Sequence, residues 1–269
     1  MPVSVTLPET FGAQLARSPK PLIGLWVCSG SPVIAEIVAS SGCDWVLLDT
    51  EHSPNGLEST LAQLHAMSAY PATPVVRVPA GDTVLIKQFL DLGVQNLLVP
   101  MVDSAEQAEQ VVRAVRYPPR GVRGVGSALA RSTRWNRVDG YLAHADDTIT
   151  LTVQIESAAA VADVERILAV DGVDAIFVGP SDLAASMGLL GQQNHPDVVA
   201  KVKTVIAAAN RAGVPVGVNA FVRGDAERYL EWGSNFVAVG ADVALLARST
   251  ESIVEHFQGS SDGSERASY

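Results

Sequence analysis

ITLTVQIES (149–157) and AIFVGPSD (175–182) decide how this chain folds. Each is a strand pattern that runs into a carboxylate, Glu156 and Asp182, and a helical segment lies between them. The 26 positions from one carboxylate to the other make one β-α unit. The spacing therefore predicts parallel neighbouring strands about 4.8 Å apart. Two carboxylates delivered side by side repel each other and call for a cation between them. A hard divalent ion suits, because such sites use one or two carboxylates and leave the other positions to water and substrate. Gln154 shares the strand face of Glu156, while Val153 and Ile155 face the other way. A polar pair ending one face fits the mouth of a barrel. Capping of the following helices is the competing explanation. It accounts well for Asp182 and less well for Glu156, in line with Gln154.

The same rhythm runs along the chain on both sides. Strands are read at 22–28, 45–49, 74–78, 96–101, 149–155, 175–178, 215–218 and 236–239. Helices follow at 32–41, 56–70, 83–92, 105–117, 158–170, 196–212, 224–232 and 242–257, and a short one leads in at 9–17. Runs such as VVRV, NLLVPM and AIFV are almost continuously apolar, as in parallel strands buried on both faces. Eight units predict an α/β fold, a single (β/α)₈ TIM barrel over residues 1–258. The polar 259–269 tail, GSSDGSERASY, reads as disordered. An open doubly wound sheet would favour a glycine fingerprint after the first strand, but that position reads VCSGSPV (27–33).

A chain of 269 residues that is 48% hydrophobic can fill one such core. A net charge of -10 argues against nucleic acid as a partner. No apolar run reaches the roughly 20 residues of a membrane span, and the start lacks a signal-peptide pattern. Two cysteines, Cys28 and Cys43, fit free thiols in a reducing cytoplasm.

Barrel chemistry sits at the C-terminal strand ends. Those positions hold Asp49, Glu51 and His52 after strand two, Arg77 in strand three, Gln154 and Glu156 on strand five, and Gly179, Ser181 and Asp182 after strand six. His52, three residues from Asp49, is the candidate general base, since a nearby carboxylate orients and strengthens an imidazole. A surface histidine beside a turn is the alternative. The other histidines and Cys28 read as structural. Arg77, in an apolar strand, needs an anion. Either Asp49 or Glu51 supplies it, or a substrate oxyanion does. Amides at Ser181 and Asp182 open a helix that could hold a carboxylate. Residues 113–137 carry seven arginines, Arg123 among them, and no acid. They read as a solvated loop, a subunit contact or an anion-attracting rim. No lysine falls at a strand end, so carbanion chemistry here would rely on a metal rather than an imine.

DWVLLDTEHSPN (44–55), PVVRVP (74–79), LLVPMV (97–102), RYPPRGVRGVGSALARSTRWN (116–136), VQIES (153–157) and IFVGPSDLAASMG (176–188) together resemble the metal-dependent HpcH/HpaI aldolases, over about 22–257. The resemblance implies a barrel that cleaves 4-hydroxy-2-oxo acids to pyruvate and an aldehyde. The activity would be most like that of the 4-hydroxy-2-oxoheptanedioate aldolases of aromatic catabolism. It implies Mg²⁺, Mn²⁺ or Co²⁺ on Glu156 and Asp182, with Gln154 close by, and Arg77 on the pyruvate oxygen. His52 paired with Asp49 would be the acid/base, and the amides at Ser181 and Asp182 would bind pyruvate or hydroxypyruvate. It also implies a hexamer with an exchanged last helix, and Asp91 near a neighbour's site. GVNAFVRG (217–224) departs from the family and leaves the aldehyde open. Rivals within the family are 2-dehydro-3-deoxy sugar-acid aldolases and acyl-CoA lyases. Outside it stand a non-catalytic sugar-acid-binding barrel and a phosphate-sugar isomerase. Asp242 after strand eight would repel the isomerase's phosphate.

Overall fold

The computed structural model describes residues 3–258, so the 259–269 tail lies outside the described residues. In chain order come α1 (Phe11–Arg17), β1 (Leu22–Val27), α2 (Pro32–Ala39), β2 (Trp45–Asp49), α3 (Leu57–Met67), β3 (Thr73–Arg77), α4 (Thr83–Asp91), β4 (Asn96–Val99) and α5 (Ala105–Val115). After a long connection with a short α6 (Tyr141–His144) follow β5 (Thr150–Ile155), α7 (Ala158–Ala162), α8 (Val164–Leu168), β6 (Ala175–Val178), α9 (Pro180–Ser186), α10 (Pro196–Ala212), β7 (Val216–Asn219), α11 (Arg223–Glu231), β8 (Phe236–Ala241) and α12 (Asp242–Gln258). The eight strands form a closed parallel barrel in sequence order, with β8 returning to β1.

Local chemistry sets the boundaries. Ser31, Asp82, Ser104 and Ser157 each accept a backbone amide at the start of the helix that follows, the usual work of N-cap side chains. The helix read over 158–170 is two short ones. They break at Asp163, whose carboxylate accepts the Ala105 amide at 2.8 Å and ties the break to α5. β4 ends at Val99 rather than 101, because Met101 has a left-handed φ of 55°.

Outward strand residues, such as Val46, Leu48, Val76 and Val153, pack against the helices. Inward residues grade from an apolar floor to a polar mouth: Trp45, Leu47, Asp49 along β2, and Val75, Arg77 along β3. α1 plugs the floor. Phe11 lies 5.5 Å from Trp45 and 5.2 Å from Phe236, ring to ring, and its amide donates to Asn96 Oδ1. Two glycines make room for these rings. A β-carbon on Gly24 would lie 2.1 Å from the Trp45 ring, and one on Gly217 would lie 2.2 Å from Phe236. Gly217→Ala should therefore destabilise the barrel by about 1–3 kcal/mol through overpacking. Chemical denaturation checks this; an unchanged midpoint would mean that the floor yields freely.

Candidate active site

The register that pairs Asp49 with Arg77 puts both at the mouth, buried. Arg77 Nε donates to Asp49 Oδ1 at 2.8 Å, and its Nη1 lies 2.9 Å from Glu51 Oε2. The guanidinium stacks on Trp26, 4.4 Å from the ring centre. Two anions and an aromatic face hold one orientation of the fork. The following loop is pinned by its own polar groups: Thr50 Oγ1 donates to the Arg77 carbonyl, and Ser53 Oγ and Asn55 Nδ2 donate to the Asp49 carbonyl.

On β5, Glu156 is 3% exposed. Its Oε1 accepts the Met101 amide at 2.7 Å, and its Oε2 accepts Gln154 Nε2. Gly179 is required beside them, because a β-carbon there would lie 2.7 Å from Glu156 Oε2. Burial pushes the Glu156 carboxyl up to about 7; the Met101 amide opposes this, and the charges of Asp182 and Glu51 add to it. Burial also raises Glu51, against the pull of Arg77 and His52. Asp182 stands exposed in the first turn of α9, capped by Gly179, with Ser181 half-buried beside it.

The mouth thus gathers Asp49, Glu51, Glu156, Asp182, Gln154, Gly179, Ser181 and Arg77. His52 joins them differently from expectation. Its side chain is 66% exposed, and its nearest carboxylate is Glu51, 3.8 Å from Nε2. Both Asp49 oxygens point elsewhere, Oδ1 to Arg77 and the Glu51 amide, and Oδ2 to the Cys28 thiol. The expected Asp49–His52 pair is therefore replaced by Asp49–Arg77.

Asp91 and Arg123 lie away from this mouth. Asp91 ends α4, on the N-terminal side of the barrel. Arg123 is fully buried 3.7 Å from it, stacked on Tyr117 and donating to Tyr141 Oη. Two of its nitrogens, Nε and Nη1, have no partner. The arginine-rich stretch does not rim its own chain's mouth: Arg116 and Arg120 pair with Asp146 and Asp171 on the surface.

Two contributors were not singled out from the sequence, Met101 and Trp26, and a third, Asp242, plays a part the sequence did not show. Met101 uses a strained backbone to aim its amide at Glu156; the Pro-Met after β4 was the available signal. Trp26 backs Arg77. Asp242, the start of α12, accepts the Cys28 and Ser29 amides and so locks β8 to the loop after β1.

The donor set can be tested for a cation. The Arg77 guanidinium is already occupied by Asp49 and Glu51, and the charge of Asp182 bears on Glu51 and Glu156. Among the described residues no group of three or more His, Cys, Asp or Glu side chains is placed to hold a metal ion. The two hard oxygen donors, Glu156 and Asp182, suit an open Mg²⁺-type site, completed by water and substrate, rather than a structural zinc site.

A parallel barrel with an acidic mouth around a fixed arginine defines a class of barrel enzyme, and sequence comparison narrows it. Residues 22–249 match the family model described as HpcH/HpaI aldolase/citrate lyase, and the chain belongs to that family. It is 52% identical over 253 residues to a hydroxypyruvate/pyruvate aldolase of Pseudomonas aeruginosa, covering 94% of each chain. It is 48% identical to a 4-hydroxy-2-oxo-heptane-1,7-dioate aldolase of Shigella flexneri, again covering 94% of each. A crystal structure of a family protein from Burkholderia cenocepacia J2315 matches with a TM-score of 0.88 and 40% identity, over 92% of this chain and 98% of that one.

The mouth also governs its neighbouring thiol. Burial first, then the charges of Asp49 and Asp242, push Cys28 up to about 12, against the pull of Arg77. Thiolate is the reactive form, so a raised value leaves little of it near neutrality. Native protein at mildly alkaline pH should alkylate at Cys28 far more slowly than denatured protein, as peptide mass mapping would read. Equal rates would contradict the burial.

Proposed function

We propose that this chain is a pyruvate aldolase, a carbon–carbon lyase that cleaves 4-hydroxy-2-oxo acids to pyruvate and an aldehyde, and runs the addition in reverse. The observation that carries the proposal is the buried Glu156 carboxylate beside Asp182, with only an already paired Arg77 for cationic company, in a member of an aldolase/lyase family. Glu156 and Asp182 would hold Mg²⁺, Mn²⁺ or Co²⁺, and such an ion, when bound, supplies Lewis-acid polarisation of the 2-oxo group. Everything else falls to the chain's own residues.

The substrate carboxylate lies against the amides of Ser181 and Asp182, where Gly179 leaves space and Gln154 lines the wall. Arg77, held by Asp49 and Glu51, stabilises charge as it develops on the 2-oxo oxygen; its orientation is set before substrate arrives, so little reorganisation is needed. His52 takes the proton from the C4 hydroxyl. The C3–C4 bond breaks, the aldehyde leaves, and C3 is protonated to give pyruvate. Glu51, rather than Asp49, is the carboxylate nearest the imidazole, 3.8 Å from Nε2. An imine route has no support, since Lys87 lies in α4, Lys201 and Lys203 in α10, and Lys20 before β1.

The enzyme is proposed to assemble as a hexamer through α12, which leaves Leu246, Ile253 and Phe257 exposed, the last at 82%. Free Cys28 and Cys43 support a cytoplasmic location. No described helix is long and apolar enough to cross a membrane.

Screening 4-hydroxy-2-oxo acids for pyruvate release tests the proposal directly. Chelation should abolish release, and Mn²⁺ should restore it. In the same assay His52→Ala should lose about 10²–10⁴-fold in turnover while calorimetry still finds pyruvate bound. Full activity of metal-stripped enzyme would refute the metal, and wild-type turnover of His52→Ala would refute its role.

A further inference from the structure

The N-terminal face, opposite the mouth, holds a cavity of ≈ 320 Å³ between α1, the end of α3 and the starts of β3 and β4. Leu64, Met67, Pro71 and Val94 give it an apolar wall. Its charged lining is Glu9, Arg17, Arg131 and Arg134. Glu9 and Arg17 satisfy each other at 2.7 Å. Arg131 and Arg134 remain, both half-buried.

Neither has an acidic partner among the described residues. Arg131 Nη1 donates to the Leu92 carbonyl at 2.9 Å, and Arg134 Nη1 donates to the Arg131 carbonyl at 2.5 Å. The two heads converge on Gly93: a β-carbon there would lie 2.7 Å from Arg134 Nη1 and 2.9 Å from Arg131 Nη1. Burial pushes Arg131 down to about 10, and the Arg134 charge acts in the same direction. Like charges drawn together and partly out of water are costly unless an anion joins them. The backbone beside the two heads is itself strained. Arg134, Trp135 and Asn136 hold φ values of 51°, 56° and 61° in succession, a conformation costly for residues with side chains. The buried Thr133 braces it, its hydroxyl accepting the Asn136 amide at 2.9 Å.

We propose that this cavity binds a small organic oxyanion, with its carboxylate or phosphate group between Arg131 and Arg134 and its carbon body against Leu64, Met67 and Pro71. Paired guanidinium forks are suited to either group. The site is separate from the mouth, although β3 joins them, starting beside the cavity and ending at Arg77.

The test titrates the full-length protein with inorganic phosphate and with succinate by calorimetry, at matched ionic strength with chloride as control. Two variants accompany it. Arg131→Gln/Arg134→Gln removes both heads, and Ser68→Glu adds a negative charge at an exposed rim position while leaving both arginines in place. One of the two oxyanions should bind saturably to the wild type, and each variant should weaken it by about tenfold or more. Ser68→Glu should keep wild-type thermal stability and pyruvate release. Absence of binding by either anion, or equal binding in wild type and both variants, overturns the proposal. So does a double variant that changes assembly size but keeps its anion affinity, since the arginines would then be a subunit contact.

Discussion

An unbalanced charge at the barrel mouth organises this protein. Arg77 is spent on Asp49 and Glu51, while the charges of Glu51 and Asp182 both bear on the buried Glu156. Glu156 is therefore a buried acid without a cation of its own, and its carboxyl rises to about 7. Met101 and Gln154 orient it but add no charge. The proposed divalent ion removes the imbalance. Burial, and then the charges of Asp49 and Asp242, likewise push the neighbouring Cys28 thiol up to about 12.

Rigidity below makes this tension tolerable above. The floor is a cluster of Phe11, Trp45, Phe177 and Phe236, closed by α1 and seated on glycine gaps at Gly24 and Gly217. Strands anchored there carry their last inward residues to fixed positions at the mouth. Asp242 completes the frame by binding two amides of the loop after β1. Among the described residues, non-glycine backbone takes a positive φ in two places, at Met101 beside Glu156 and at 134–136 beside the cavity on the opposite face. Strain of this kind persists only where the surroundings over-determine it.

Much of this was legible in the residues. β2 and β6 run from Trp45 to Asp49 and from Ala175 to Val178, as their apolar runs predict, and eight such runs suffice for the barrel. Strand parity placed Gln154 and Glu156 on one inward face, since alternation is local geometry. Partnership across strands was not legible in the same way. Asp49 and His52 are near in sequence, but register sets Asp49 opposite Arg77, and the loop carries His52 outward beside Glu51. The break at Asp163 depends on an amide 58 residues away. The arginine-rich stretch looked uniform because charge alone does not reveal direction. In the fold its members divide among surface pairs, the buried Arg123 and the N-terminal cavity.

Glu156 decides between these ideas. Its folded value, about 7, lies above its unfolded value of 4.5. Between the two the folded protein holds a proton that the unfolded chain has lost, so without a cation stability falls as pH rises through that window. A metal ion must displace that proton, so its affinity should rise as pH rises through about 7. Calorimetric titration of Mn²⁺ into metal-free protein, at about pH 6 and about pH 8, reads this directly beside Glu156→Gln. The charge imbalance predicts tighter binding at the higher pH in the wild type, with proton release, and severe loss of affinity in the variant. Mn²⁺ affinity equal in wild type and Glu156→Gln at both pH values would contradict it.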